Sequence, residues 1–368
     1  MRPWRPLLAH ASVTAALAAV SLVGGLLMCG GCGGRGDSSA VTGSPAAGTD
    51  IEQVAIVTPE KANDYGWNQQ GVAGVREAAD VVGAELIVQD GAGYGDITPI
   101  MEQLAATGAD FIVPWASGYN TVGPQVARTL GIPVTANDLG SEDASVPQLV
   151  QALETNGQNG GYLAGVLAGR MTRSGTVAIV VSAEDLNWSK QAGGFVAGVR
   201  SVSGAARILY VQIGQGAYAD AAGGKRVAAN AISGGADIIF GMGDGSSFGM
   251  MQAVETAEPP RGAEEVWFID VIGDKRPIDE KGVLLSSVLW DWAPLMTRAF
   301  RDFEAGTMGQ ASYYLDLDNG MGLLQTEFIP DDVWAAVEEA RAGILDGSIE
   351  VPLTTTGKQV KDLIASGE

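Results

Sequence analysis

Residues 53–82 read QVAIVTPEKANDYGWNQQGVAGVREAADVV. The opening run, Val54 to Val57, is too short and too β-branched for a helix and predicts a buried strand. A polar loop runs from Thr58 to Gly66. Apolar or small residues then return at Trp67, Gly71, Val75, Ala78, Ala79 and Val82, which is helical spacing. Strand, loop and helix in that order make the unit of an open parallel sheet, in which ligands sit beyond the carboxyl ends of the strands. The loop and Trp67 therefore lie at the working end of the unit.

Outward from this unit the pattern repeats. Strands are expected at Glu85–Val88, Phe111–Val113 and Ile132–Thr135, with helices at Ile97–Ala106 and Val122–Leu130, giving one parallel lobe. A second series begins near Thr155 with a helix carrying Tyr162, Leu163, Val166 and Leu167. It continues through strands at Val177–Val181, Ile208–Ile213 and Ile238–Phe240. Gly108-Ala109-Asp110-Phe111-Ile112 recurs as Gly235-Ala236-Asp237-Ile238-Ile239, the echo two similar lobes would leave. Past Val266–Ile269 the chain is expected to return to the first lobe, with strand Val283–Leu289 leading into a helix begun by Asp291 and Pro294. Tyr313–Leu317 and Leu323–Phe328, joined through Asp318-Asn319-Gly320, read as a hairpin. The fold class expected is α/β, with two Rossmann-like lobes of parallel sheet joined by a three-crossing hinge. Residues 51–153 with 287–323 would form lobe 1, and 154–286 with 324–368 lobe 2. Hinges are expected near Leu153–Asn156, Leu285–Ser287 and Leu323–Gln325.

The 368 residues suffice for two cores, and a hydrophobic content of 46% excludes a disordered acidic chain. With 43 acidic against 22 basic residues and a formal net charge of −21, the chain should repel nucleic acid. Arg2 and Arg5 precede an apolar stretch from Leu7 to Met28, the pattern of a targeting segment. Its end, Leu26-Leu27-Met28-Cys29-Gly30-Gly31-Cys32, resembles a bacterial lipoprotein cleavage box, in which a cysteine receives lipid. Cys32, preceded by two glycines, fits the small residues of such a box better, while Leu26 three positions back favours Cys29. A plain secretion signal is the alternative. Residues 1–32 are then signal peptide and lipobox, and 33–50 a flexible tether rich in Gly, Ser, Ala and Thr.

The only histidine is His10, and the two cysteines are Cys29 and Cys32. Beyond the leader there is no imidazole and no thiol. That excludes a Ser-His-Asp triad, a cysteine nucleophile, His- or Cys-ligated zinc and a disulfide framework. No metal and no cofactor are expected. Gly241-Met242-Gly243-Asp244-Gly245 follows a strand, but its third glycine falls one place early for a dinucleotide fingerprint. Gly224-Lys225 is followed by Arg226 and is no P-loop.

Tryptophans concentrate where ligands would sit. Trp67, Trp115, Trp188, Trp290 and Trp292 fall at strand ends or the adjoining helix starts, whereas Trp267 and Trp334 sit inside elements. Several aromatics at one cleft suit a flat ligand held by stacking; capping each lobe's own core is the plainer role for them. Polar residues gather at the same ends, namely Asn63, Asp64, Asn137, Asp138, Asp185, Asp244 and Asp270, and helix capping competes for several of these.

Asn63-Asp64-x-Gly66-Trp67-Asn68-Gln69 resembles the N-D-x-S-F-N-Q motif of the BMP family, the PnrA-like, purine-nucleoside-binding lipoproteins of ABC importers. Gly161-Tyr162-Leu163-Ala164-Gly165 before Met171-Thr172 and Gly175, Gly235-Ala236-Asp237-Ile238-Ile239-Phe240, and Ile344-x-x-Gly347-x-Ile349-x-Val351-Pro352 are similar to further family motifs in the same order. The resemblance implies a type I periplasmic-binding fold, no catalysis, and a small solute passed to an ABC permease. It also implies a membrane anchor through lipid on the extracytoplasmic face. It places Trp67 at a stacking position, Phe240 near a second one, and Asp270 where ribose hydroxyls are read. Two departures stand out: Thr58 where the family often has a base-reading Asp, and Trp290 where it often has a ribose-contacting Lys. Less sugar or more flat surface in the ligand is the expectation, a nucleobase or another heteroaromatic. A sugar or a riboflavin-type ligand, a sensor role at a membrane receptor, and carboxylate-based hydrolysis are the alternatives.

Overall fold

A computed structural model describes residues 49–140 and 144–367. The expected signal peptide, nearly all of the tether, and both Cys29 and Cys32 lie outside the described residues. In the chain that is described, the first strand is β1 (Gln53–Val57), followed by helix α1 (Trp67–Val82), which Gly83 ends at φ 82° in a left-handed cap. Then come β2 (Glu85–Gln89), α2 (Thr98–Ala106), β3 (Phe111–Pro114), α3 (Val122–Leu130), β4 (Val134–Asn137) and β5 (Val150–Thr155). The second series is α4 (Gly157–Met171), β6 (Thr176–Val181), α5 (Leu186–Val202), β7 (Arg207–Gln212), α6 (Ala221–Ser233), β8 (Ile238–Met242), α7 (Ser247–Glu255), β9 (Trp267–Ile272) and β10 (Leu284–Trp290). The chain finishes with α8 (Ala293–Glu304), β11 (Tyr313–Leu315), β12 (Met321–Leu323), α9 (Asp331–Leu345) and α10 (Gly357–Ser366).

Two six-stranded sheets result, ordered β11-β5-β4-β3-β1-β2 and β12-β10-β9-β8-β6-β7. Within each, the first five strands of the series take the same order, 2-1-3-4-5, so the sequence echo corresponds to one doubly wound layout used twice. Every pairing between these strands is parallel except β10 with β12. Strands such as β1, β3 and β6 are apolar along their length because helices cover both faces of their sheets.

The chain passes between the sheets three times, as three-crossing topology requires, but two crossings lie elsewhere than expected. β10 pairs with β9 in the second sheet, so the return to the first lobe follows Trp290 rather than Leu285–Ser287. Tyr313–Leu317 and Leu323–Phe328 do not form a hairpin. β11 extends the first sheet beside β5 while β12 closes the second beside β10, so Asp316–Gly320 is a crossing and not a turn. The three crossings are tied together: Asn156 Nδ2 and Asn159 Nδ2 donate to the Asp316 carboxylate at 2.6 and 2.8 Å, and the Asp291 amide donates to the Gly320 carbonyl at 2.8 Å. α8 then packs on α1, whereas α9 and α10 pack on α4 and α5. No helix among the described residues is long and apolar enough to cross a membrane.

Candidate functional site

The carboxyl ends of both sheets face one another, and between them lies a cavity of about 220 Å³. Its wall draws on almost every strand end: Pro59 after β1, Tyr94 after β2, Ser117 after β3, Asp138 after β4, Asp185 after β6, Tyr218 after β7 and Asp244 after β8. Trp67 opens α1, Trp188 lies in the first turn of α5, and Trp290 closes β10. Parallel strands all point one way, so their following loops converge, and the cavity is the geometric consequence.

Indole rings fill one side. Trp67 stacks on Trp115 with centroids 4.5 Å apart and planes at 15°, and each ring's Nε1 donates to the other's backbone carbonyl, at 3.2 and 2.9 Å. Trp290 stands edge-on to Trp67 at 6.3 Å, and Trp292 edge-on to Trp67 and Trp115 at 5.7 and 4.9 Å. Offset and T-shaped pairs of this kind are the favoured arrangements. Trp67 and Trp290 reach the cavity, while Trp115 and Trp292 are buried behind them. Gly71 makes the stack possible, since a Cβ there would fall 2.1 Å from the Trp115 ring. Trp188 lines the cavity from the second lobe, the lobe that also supplies Trp290, its Nε1 held by Ser182 Oγ at 2.9 Å. At the rim Tyr94 stacks across the cleft on Tyr218, centroids 5.8 Å apart.

The polar wall is acidic. Asp138, Asp185 and Asp244 line the cavity, and among the described residues no lysine or arginine does. Burial pushes Asp138 up to about 7, with the Asp185 carboxylate adding to it and Lys190 opposing. Burial raises Asp185 too, against the hydroxyl that Tyr218 donates at 3.0 Å. Asp244 stands well above the ordinary carboxylate range, from burial first and then the Asp64 charge. Desolvation disfavours the charged form when no cation compensates. Asp138, Asp244 and Ile272 hold positive φ of 55°, 47° and 71°, a strained backbone concentrated on the wall of the cavity. Two of the bonds that cross the cleft end on these carboxyls: Asn187 Nδ2 donates to Asp138 Oδ2 at 2.9 Å, and the Trp67 amide donates to Asp244 Oδ1 at 3.2 Å.

Of the site residues expected from sequence, the structure brings Trp67, Asp138, Asp185, Trp188, Asp244 and Trp290 to the cavity. Others are placed differently. Asn63 is exposed on the loop before α1. Asp64 caps α1, accepting from the amides of Gly66, Asn68 and Gln69 at 3.0–3.1 Å, so its lone pairs are already taken. Asn137 is buried beneath the wall. Phe240 stacks on Phe195 at 4.6 Å inside the second lobe's core, and so is no second stacking face for a ligand. Asp270 is fully buried, its carboxylate held by Lys275 Nζ at 2.6 Å and by Ser247 Oγ at 3.0 Å, and does not reach the cavity. Tyr94 and Tyr218 line the cavity without having been expected there, and Asn68, present in the sequence reading only as a motif residue, lines it too. Tyr94 and Tyr218 follow edge strands in glycine-containing loops, and that position after β2 and β7 was the available signal.

Residues 51–352 match the family described as Bmp, ABC transporter substrate-binding protein PnrA-like. The chain is 29% identical over 211 residues to a CD4+ T-cell-stimulating antigen of Listeria monocytogenes, covering 53% of this chain and 57% of that protein. It is 25% identical over 201 residues to the ABC transporter nucleoside-binding protein BmpA of Lactococcus lactis subsp. cremoris, covering 52% and 57%. The aligned stretch thus spans somewhat more than half of these relatives. An ABC transporter solute-binding protein from Conexibacter woesei superposes with a TM-score of 0.67 at 22% identity, covering 82% of this chain and 99% of that one, a likeness of fold.

Proposed function

We propose that this chain, which belongs to the Bmp family of PnrA-like ABC transporter substrate-binding proteins, binds a small planar heteroaromatic solute between its lobes and presents it to an ABC permease. The observation that carries the reading is the indole-walled cavity at the facing carboxyl ends of the two sheets, lined by Trp67 of the first lobe and by Trp188 and Trp290 of the second. A flat ring entering there meets aromatic faces from both lobes, and each ring contact adds about 0.5–1.5 kcal/mol beyond buried area. The relative named for nucleoside binding supports a nucleoside or its nucleobase, and a purine is the class proposed. The burial of Asp270 against Lys275 favours the base over the sugar as the part recognised. Family members of this kind act outside the cytoplasm without breaking a bond. A lipid anchor through Cys32, or Cys29, would hold this one at the membrane.

A thermal-shift screen of nucleosides, nucleobases, flavins and sugars tests this. A ligand at 100 times its dissociation constant stabilises by about 2.7 kcal/mol. The shift is expected for a planar heteroaromatic and is expected to vanish in Trp67→Ala. Because Trp67 also packs in the core, Tyr218→Ala at the half-buried rim serves as the second variant and should weaken the same ligand. A shift for sugars alone, or one that survives both substitutions, sinks the proposal.

A further inference from the structure

We propose that the solute carries a positive charge, as a protonated or quaternised heteroaromatic ring; the inference rests on the planar-solute reading above and narrows its class. Three features of the cavity converge on it. The first is charge: Asp138, Asp185 and Asp244 line the wall, and the nearest lysines are engaged elsewhere. Lys190 donates to the Thr155 carbonyl at 3.0 Å and lies 3.8 Å from Glu154, and Lys275 is taken by Asp270.

The second is the hydrogen-bonding polarity of the wall. Asp138, 8% exposed, accepts one bond, from Asn187 to Oδ2, and Asp244, also 8% exposed, accepts one, from the Trp67 amide to Oδ1. Their remaining oxygens have no hydrogen-bond partner among the described residues. Asn68 turns its Nδ2 to Asp64 at 2.7 Å, which fixes the amide's orientation and leaves its buried Oδ1 without a donor. These three free valences are all acceptors, and an acceptor-rich wall is matched by a ligand rich in N–H groups or formal positive charge. Against them stands the unpartnered Nε1 of Trp290.

The third is the wall material. Indole presents the most negative aromatic face, and a cation seated over it is attracted most strongly where water is excluded. A cation in this slot would also relieve the cost of burying three carboxylates together. The same carboxyls, if protonated, could instead donate to a neutral ring bearing acceptors. That alternative predicts the opposite preference.

The test is isothermal titration of the purified protein with matched neutral and cationic rings: adenosine and 1-methyladenosine, nicotinamide and 1-methylnicotinamide, quinoline and N-methylquinolinium. The expected result is that in at least one pair the cation binds tenfold tighter or more, and that its affinity falls with added salt. Asp138→Asn with Asp244→Asn, near-isosteric changes whose folding is checked by thermal melting, should erase that preference, read as the ratio of cation to neutral affinity within each pair. Equal or neutral-preferring binding that depends on Trp67 overturns the charge proposal while the planar-solute reading stands. A cation preference that survives the double substitution, or that the salt series leaves unmoved, also overturns it. Failure of every pair to bind removes both.

Discussion

Asp138 accepts a single hydrogen bond at the mouth of β4, and its response to pH has a definite sign. Burial, with Asp185 and Glu154 nearby and only Lys190 and the Asn187 amide opposing, raises it from 3.8 to about 7. Between those values the folded protein holds a proton that the unfolded chain has released, so stability falls as pH rises through the window. Asp138→Asn should remove this loss: the ligand-free variant becomes more stable than the parent at pH 8, by at most about 4 kcal/mol, with little difference at pH 4. Urea denaturation across that range reads the effect, and a parent that gains stability towards pH 8 contradicts it. Gly71 has no Cβ because the Trp115 indole lies against it. Gly71→Ala should therefore displace Trp115 and disturb the Trp67 face, costing about 1–3 kcal/mol and weakening ligand binding, both visible in tryptophan fluorescence. Residue types at strand ends were legible as a group, since parallel topology sends every such end to one place. Which of them faced the ligand was not. Asp64 is consumed by capping α1, and Asp270 by a lysine five positions later, and those pairings form only when the loops fold back.

Helices α4 and α5 cross at backbone contact distance, because small residues line both faces. A Cβ at Gly161 would lie 2.1 Å from the Gln191 carbonyl oxygen, and one at Gly198 would lie 2.1 Å from that of Tyr162. Gly161→Ala should force the pair apart and destabilise the second lobe by about 1–3 kcal/mol, whereas Gly214→Ala, where a Cβ meets open space, should not. Comparing the two midpoints in denaturant decides this. Most elements were visible as apolar runs of the right period. β5 was not, since Gln151 and Glu154 interrupt its apolar character. Both are buried, Gln151 Nε2 donating to the Ala311 carbonyl at 2.9 Å and Glu154 accepting from the Gly140 amide at 3.0 Å. The Asp-Asn-Gly before β12 mimicked a hairpin turn for a related reason: local turn chemistry does not record which sheet each flanking strand joins.

Across the whole molecule, the lobes meet through a rim and a wall. The rim pair Tyr94 and Tyr218 is held by hydroxyl bonds, Tyr94 to Glu60 at 2.9 Å and Tyr218 to Asp185. Tyr94 is 51% exposed, so Tyr94→Ala should leave folding stability nearly unchanged. Losing a stacked pair worth about 0.5–1.5 kcal/mol should speed ligand dissociation roughly two- to tenfold, which stopped-flow fluorescence would measure. An unchanged dissociation rate would mean the rim does not gate the cleft. The sequence alone determined an alternating α/β chain of two similar lobes, its kinship, and the absence of histidine and cysteine after Cys32, because periodicity and residue type are local properties of the chain. Only the tertiary structure decided where the chain changes lobes, that Phe240 belongs to a core, and that three buried carboxyls share one indole-walled cavity. Those are facts about which distant residues share a space, and burial, pairing and charge compensation take their values only once that space is closed.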